Sequence, residues 1–317
     1  MAKELRMERK VVFTERPPFP ENMLVELTNK CNHQCIFCHY RLMSRKKADC
    51  NREFTFDIIK QAYDNGTREI GFYMIGEPFL KRDLEEYIAY AHNLGFTYIY
   101  LTTNGALATL ERTVKCIEAG LNSIKFSINA ATTEHYIQIH GHDDYETVKT
   151  NVRNLSEYVK KNNIDLSMFI TFVKTNITLD DFDLLLADFS SFVDKIYECD
   201  CNSQGTPIIE LINNGIVNSS IYLKENQELC QMVFNRLHIT SEGYLNACCA
   251  DAEGLLSAVD LHEVSLKEAW HSDIMVNLRR QFLNNTLSKD VLCYNCLHKE
   301  QHKVKPLNEA LWSSNGR

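Results

Sequence analysis

The sequence predicts an α/β fold around a six-stranded parallel sheet. Short β-favouring apolar runs alternate with segments of helical period from Met23 to Cys199. Several of the helical segments stop at a glycine. Most strand-to-strand spacings are long enough for crossover helices, which parallel pairing requires. A partial barrel and an open twisted sheet both fit. Either places functional residues in loops after the carboxyl ends of the strands.

The elements follow in order. Met23–Thr28 (MLVELT) reads as the first strand, and a cysteine group follows it. Thr55–Gly66 has helical period, Glu69–Gly76 reads as a strand, and Asp83–Gly95 as a helix. Thr97–Gly105 is a strand, Leu107–Gly120 a helix, and Ser123–Ala130 a strand. Tyr145–Asn162 is a long helix, Asp165–Val173 a strand, Asp180–Ser191 a helix, and Val193–Cys199 the sixth strand. The pattern then changes. Phe234–Cys249 reads as a hairpin turning at Ser241, Glu242 and Gly243. Ser265–Asn285 reads as one helix, with a capping box between Ser265 and Glu268. Three units are expected: a lead-in over residues 1–21, a core over 22–205 and a Cys-rich extension over 206–317.

The 317 residues carry a formal net charge of -8. Nucleic-acid binding is not expected, because phosphate contacts need clustered Lys and Arg. The densest basic run, Arg41–Lys47, is expected to be a solvated loop. The first twenty residues lack the apolar core of a secretory signal, and no apolar run approaches bilayer length. A soluble, cytoplasmic protein is therefore expected, with no membrane partner. In that reducing compartment twelve cysteines point to metal or redox chemistry and not to disulfides.

Cys31, Cys35 and Cys38 lie in the loop after the first strand. Three thiolates leave a four-coordinate centre one ligand short. Closed structural zinc sites have four protein ligands. In a four-iron cluster, three cysteines leave one iron open. With the aromatic Phe37 before its last cysteine, this CxxxCxxC resembles the signature of radical S-adenosylmethionine (SAM) enzymes. Other segments match that family in order. Gly76-Glu77-Pro78 is similar to the motif that meets the SAM amino group, with Ile75 where a glycine often stands. Asn104, in TTNG, and Ser127 and Asn129, in FSINA, stand where relatives touch the ribose or methionyl part of SAM. The resemblance implies a partial (β/α)6 barrel over about residues 22 to 200, a 4Fe–4S cluster on Cys31, Cys35 and Cys38, and SAM as its fourth ligand.

Cys230, Cys248, Cys293 and Cys296 form a second group. By spacing alone, four ligands suit either structural zinc or a fully ligated iron–sulfur cluster. The group resembles the twitch form of the SPASM extension, which implies an auxiliary 4Fe–4S cluster. Cys249 is left over beside a presumed ligand. If it lies on a strand it faces away from Cys248, towards a substrate cavity; otherwise it is a small buried residue. Cys199 and Cys201 are rivals for an active thiol, Cys116 is expected in the core, and Cys50 carries no assignment.

The resemblance implies reductive cleavage of SAM and hydrogen abstraction from a C–H bond. A one-electron donor such as flavodoxin or ferredoxin would be the redox partner. The expected substrate is a small carbohydrate-like molecule, an aminocyclitol or aminoglycoside, with acidic side chains to hold amino groups. Epimerisation with Cys249 as hydrogen donor is preferred to dehydrogenation with the auxiliary cluster as electron acceptor. Radical modification of a peptide is a third reading. A non-catalytic metal-binding scaffold is a fourth, and the open ligand position of the first site opposes it.

Overall fold

A computed structural model describes residues 11–201, 208–217, 229–298, 300 and 302–314. The first ten residues of the lead-in and the expected 205/206 boundary lie outside them. Six strands form as the alternation predicts: β1 Asn22–Val25, β2 Glu69–Phe72, β3 Tyr98–Thr103, β4 Ser123–Ser127, β5 Ser167–Lys174 and β6 Lys195–Asp200. All are parallel, in the order β6-β5-β4-β3-β2-β1. The intervening helices are α1 Arg52–Asp64, α2 Leu84–Leu94, α3 Leu110–Glu118, α4 Thr133–His140, α5 Tyr145–Lys161 and α6 Asp181–Phe189. Side-chain caps from Asn51, Thr109 and Thr132 start α1, α3 and α4 by accepting otherwise unpaired amide protons. Glycine in the left-handed region ends α2 at Gly95 and α4 at Gly141. Helix α4 is absent from the sequence reading, because its eight residues TEHYIQIH carry a weak apolar stripe.

The sheet continues past the sixth strand. β7 Arg236–Ile239 pairs parallel to the other side of β1, followed by antiparallel β8 Tyr244–Asn246 and β9 Ser257–Asp260. The predicted hairpin is therefore built onto the core sheet, which has nine strands and is not closed among the described residues. The predicted helix over 265–285 is two helices, Leu266–Trp270 and Asp273–Leu283. Ser272 ends the first by capping the second, accepting from the Met275 amide. The capping box at Ser265 and Glu268 forms as read. Buried Arg279 ties these helices together: it lies 3.8 Å over the Trp270 ring and donates to the Trp270 and Val233 carbonyls.

Sheets covered on both faces read as continuous apolar runs. This one alternates. Along β3, Ile99, Leu101 and Thr103 are buried, whereas Tyr98, Tyr100 and Thr102 are half-buried. Ile124, Phe126, Ile170 and Phe172 continue the buried face into the core. Lys125, Ser127, Phe169, Thr171 and Tyr197 continue the other, in register as Thr102 beside Lys125, Lys125 beside Phe169, and Thr171 beside Tyr197. One face thus carries the apolar core, and the opposite face is polar and aromatic.

Candidate functional site

The loop after β1 brings Cys31, Cys35 and Cys38 together within electrostatic reach of one another. Backbone amides supply part of their environment: the His33 amide donates to Cys31 Sγ at 3.5 Å, and the Tyr40 amide faces Cys38. Burial pushes all three thiols up, Cys31 to about 12, with the Glu77 carboxylate adding to the rise at Cys31. Such thiols stay protonated until a cation displaces the protons. Three convergent sulfurs with amide donors fit the open-iron cluster that the spacing implies.

The three other predicted segments converge on this loop. Gly76 packs against its base: a Cβ there would stand 2.0 Å from the Thr28 carbonyl oxygen. The Glu77 amide donates to the Lys30 carbonyl at 2.8 Å. The Glu77 side chain turns inward, where Oε1 accepts from the Phe79 amide and Thr103 Oγ1, and Oε2 from the Asn104 amide. Burial raises its carboxyl to about 7. Pro78 is buried and opens a short 3-10 turn. Asn104 Nδ2 donates to Asn32 Oδ1 at 2.8 Å and lies 3.9 Å from Cys31 Sγ. Ser127 ends β4 on the polar face. Asn129 is committed to protein partners: its Oδ1 accepts from the Val173 amide, and its Nδ2 points at His140.

Sequence reading missed three residues around the loop. His140, buried at the end of α4, places Nδ1 3.4 Å from Cys35 Sγ. His33 Nε2 bonds Asp144 Oδ2 at 3.0 Å. Arg45 corrects the solvated-loop expectation. It is buried, pairs with Glu26 at 2.6 Å and with Glu242, and donates to the Ala252 carbonyl. It fastens the cysteine loop to the hairpin turn.

The second group also converges. Cys293 is within electrostatic reach of Cys230, Cys296 and Asp251, and Cys248 within reach of Cys293. None of the described cysteines forms a disulfide. Asn246, the last residue of β8, lies opposite His238, which is level with Leu24 in β1, and Cys248 follows two residues later. Cys31, Cys35 and Cys38 follow β1, and Asp251 stands within electrostatic reach of both Cys293 and His39 beside Cys38.

Cys249 sits in a turn after β8 and not on a strand, so alternation does not place it. Packing does. It lies within electrostatic reach of Tyr73, Tyr100, Lys125 and Arg236. The Cys248 thiol, then His238 and Arg236, pull Cys249 well below the usual thiol range, against burial. Burial raises Tyr100 to about 12 and lowers Lys125. Arg236 Nε is buried without a hydrogen-bond partner among the described residues. Cys199 is exposed at the end of β6, Cys201 is buried, and Cys116 lies in the core as expected. Cys50 is also buried, its thiol 3.5 Å from Tyr87 Oη.

Residues 25–188 match the radical SAM superfamily. The chain belongs to the radical SAM superfamily. That family carries a 4Fe–4S cluster, uses SAM and takes electrons from a reductant. Residues 230–297 match SPASM, an iron–sulfur cluster-binding domain, so an auxiliary iron–sulfur site accompanies the radical SAM core. A probable GTP 3',8-cyclase of Methanothermobacter marburgensis is 30% identical over 131 residues, 41% of this chain and 42% of that protein. The chain thus spans less than half the length of that relative. Among solved structures, Streptococcus suis SuiB bound to the precursor peptide SuiA has a TM-score of 0.67 at 16% identity, covering 94% of this chain and 73% of that one. BtrN in complex with AdoMet and 2-DOIA has a TM-score of 0.60 at 17% identity, covering 90% and 98%. The anSMEcpe structure with bound AdoMet has a TM-score of 0.61 at 14% identity, covering 93% and 92%. These likenesses show the fold. No helix of the described residues is long and apolar enough to cross a membrane.

Proposed function

We propose that this radical SAM enzyme epimerises a small carbohydrate-like substrate lying against the Tyr100–Lys125 face, with Cys249 as hydrogen donor. The position of Cys249 among Tyr73, Tyr100, Lys125 and Arg236 carries this reading. Cys31, Cys35 and Cys38 would hold the SAM-binding cluster, which with SAM bound supplies the radical that takes hydrogen from carbon. Cys230, Cys248, Cys293 and Cys296 would hold the auxiliary cluster. Backbone around Gly76, Glu77 and Pro78, with Asn104 and Ser127, would border SAM. Asn129 would border it through its backbone only, its side chain being engaged.

Cys249 then acts on the opposite face of the substrate carbon. Its S–H bond breaks, a new C–H bond forms, and one electron and one proton from the external donor and solvent restore the thiol. A metal-bound Cys248 has no thiol proton to share, which removes the largest of the pulls on Cys249, and burial favours the thiol that the step requires. Flat tyrosine rings with hydroxyls from Thr102, Ser127 and Thr171 suit a sugar ring. Lys125 and Arg236 favour a neutral or acidic sugar over the aminated one expected from sequence, since like charges repel.

A second reading is oxidation of a secondary alcohol. Burial makes the Lys125 ammonium easier to deprotonate, and its amine would take the hydroxyl proton while an electron leaves for a one-electron acceptor. Peptide-modifying neighbours share the fold as well as BtrN does. The carbohydrate assignment therefore rests on the chemistry of this face. The test is turnover of sugars, cyclitols and peptides by reconstituted protein in deuterated water. An isomer carrying one solvent deuterium, lost with Cys249→Ala, is expected. A ketone formed equally by that variant would replace epimerisation with oxidation. Turnover of peptides alone would overturn the substrate class.

A further inference from the structure

His140 is held from every side. It is fully buried, stacks on Tyr136 with ring centroids 4.0 Å apart and meets His33 edge-on at 5.4 Å. Helix α4 delivers it, and the end of α4 is bonded to the cysteine loop. The Gln34 amide donates to the His140 carbonyl at 3.0 Å, and the Ile36 amide to the Ile139 carbonyl at 2.9 Å. These two bonds bracket Cys35.

The ring's hydrogen bonds fix its tautomer. Nε2 faces the Asn129 amide N–H at 3.2 Å and Asn129 Nδ2 at 3.4 Å. The Asn129 amide is itself oriented, because Oδ1 accepts from the Val173 amide at 2.8 Å. Two donors point at Nε2, so Nε2 carries the lone pair. The ring proton is then on Nδ1, 3.4 Å from Cys35 Sγ. His33, Cys35 and His140 place donor atoms within 4.8 Å of one another, as a metal-binding trio would. A protonated Nδ1 offers no lone pair to a cation there.

We propose that His140 is a positioning residue that donates an N–H···S hydrogen bond to Cys35 and raises the reduction potential of the cluster Cys35 helps to hold. The extra electron of a reduced cluster increases charge on its sulfurs, and a donor aimed at one of them stabilises that state. The proposal rests on the reading of Cys35 as a cluster ligand. Asn129 acts through His140, orienting the ring and setting its tautomer.

The test is pulsed EPR on reconstituted, reduced protein carrying ring-15N histidine. A histidine-ring nitrogen coupling to the first cluster is expected in the wild type and not in His140→Phe, which retains the stack on Tyr136. In an EPR-monitored redox titration, the first cluster's midpoint should fall in His140→Phe while the auxiliary cluster's stays. A tenfold drop in the reduced-to-oxidised ratio corresponds to about 59 mV for one electron. An absent ring coupling in the wild type, or an unchanged midpoint in a fully loaded variant, overturns the proposal. If the variant does not load, the wild-type coupling decides alone. A first cluster that assembles normally in Cys35→Ala would instead overturn the ligand reading beneath it.

Discussion

Gly71 on β2 lies beside Tyr100 on β3, so close that a methyl group at 71 would stand 2.7 Å from Tyr100 Cε2 and 2.6 Å from Leu24 Cδ2. Glycine here makes room for the ring at the centre of the polar face. Gly71→Ala should cost about 1–3 kcal/mol in urea unfolding by overpacking. It should also lower product formation by about tenfold, or about 1.4 kcal/mol, while SAM cleavage persists. Equal losses in both activities would show that the face does not hold substrate.

Gly76→Ala should act in the loop after β2. Its Cβ would meet backbone, at 2.0 Å from the Thr28 oxygen and 2.7 Å from the Lys30 oxygen, and backbone yields less than a flexible side chain. The base of the Cys31 loop must move. Iron analysis should fall from about eight to about four per chain, as one of two four-iron clusters is lost. Full iron content would exclude this bracing role.

Arg45→Met should destabilise the protein by about 3–5 kcal/mol, because it leaves Glu26 buried and unpaired. Adding Glu26→Gln should recover part of the loss in denaturant unfolding. No recovery would mean that lost packing, not the stranded carboxylate, sets the cost.

Glu77 should give stability a pH dependence. Its folded carboxyl titrates near 7, against about 4.3 in an unfolded chain. The folded state therefore holds the proton more tightly. Its contribution is full below about pH 4.3 and is lost as pH rises through 7. Urea midpoints of metal-free protein at pH 5 to 8 should fall more in wild type than in Glu77→Gln. Parallel slopes would place the titration elsewhere.

Lys125→Met should raise KM for an acidic sugar and leave a neutral one little changed. Among the described residues the Lys125 ammonium has no ion pair or side-chain hydrogen bond and lies 5.8 Å from the Tyr73 ring centroid, on the face proposed for substrate. A fall in turnover for both sugars, at unchanged KM, would favour Lys125 as the base of the oxidation reading.

Much of the fold was legible because the physics is local. Six strands follow from apolar runs at short range, and the hairpin from a turn at Gly243, where φ is +91°. The division of Ser265–Asn285 was less legible, since Ser272 looks like an interior residue until its side chain is seen capping Met275. Helix α4, with little apolar stripe, left no periodic signal. His140 had no motif of its own, and Arg45 looked like one cation in a basic run.

By itself the sequence determined the radical SAM core, the cysteine spacing and the order of strands, because each depends on neighbours a few residues apart. Only the tertiary structure decided that Cys230, Cys248, Cys293 and Cys296 converge, that Cys249 in its turn packs beside Tyr100 and Lys125, and that His140 reaches Cys35. Those relationships join residues far apart in the chain, His140 to Cys35 across 105 positions, and strand register with helix docking, not local pattern, sets their distances.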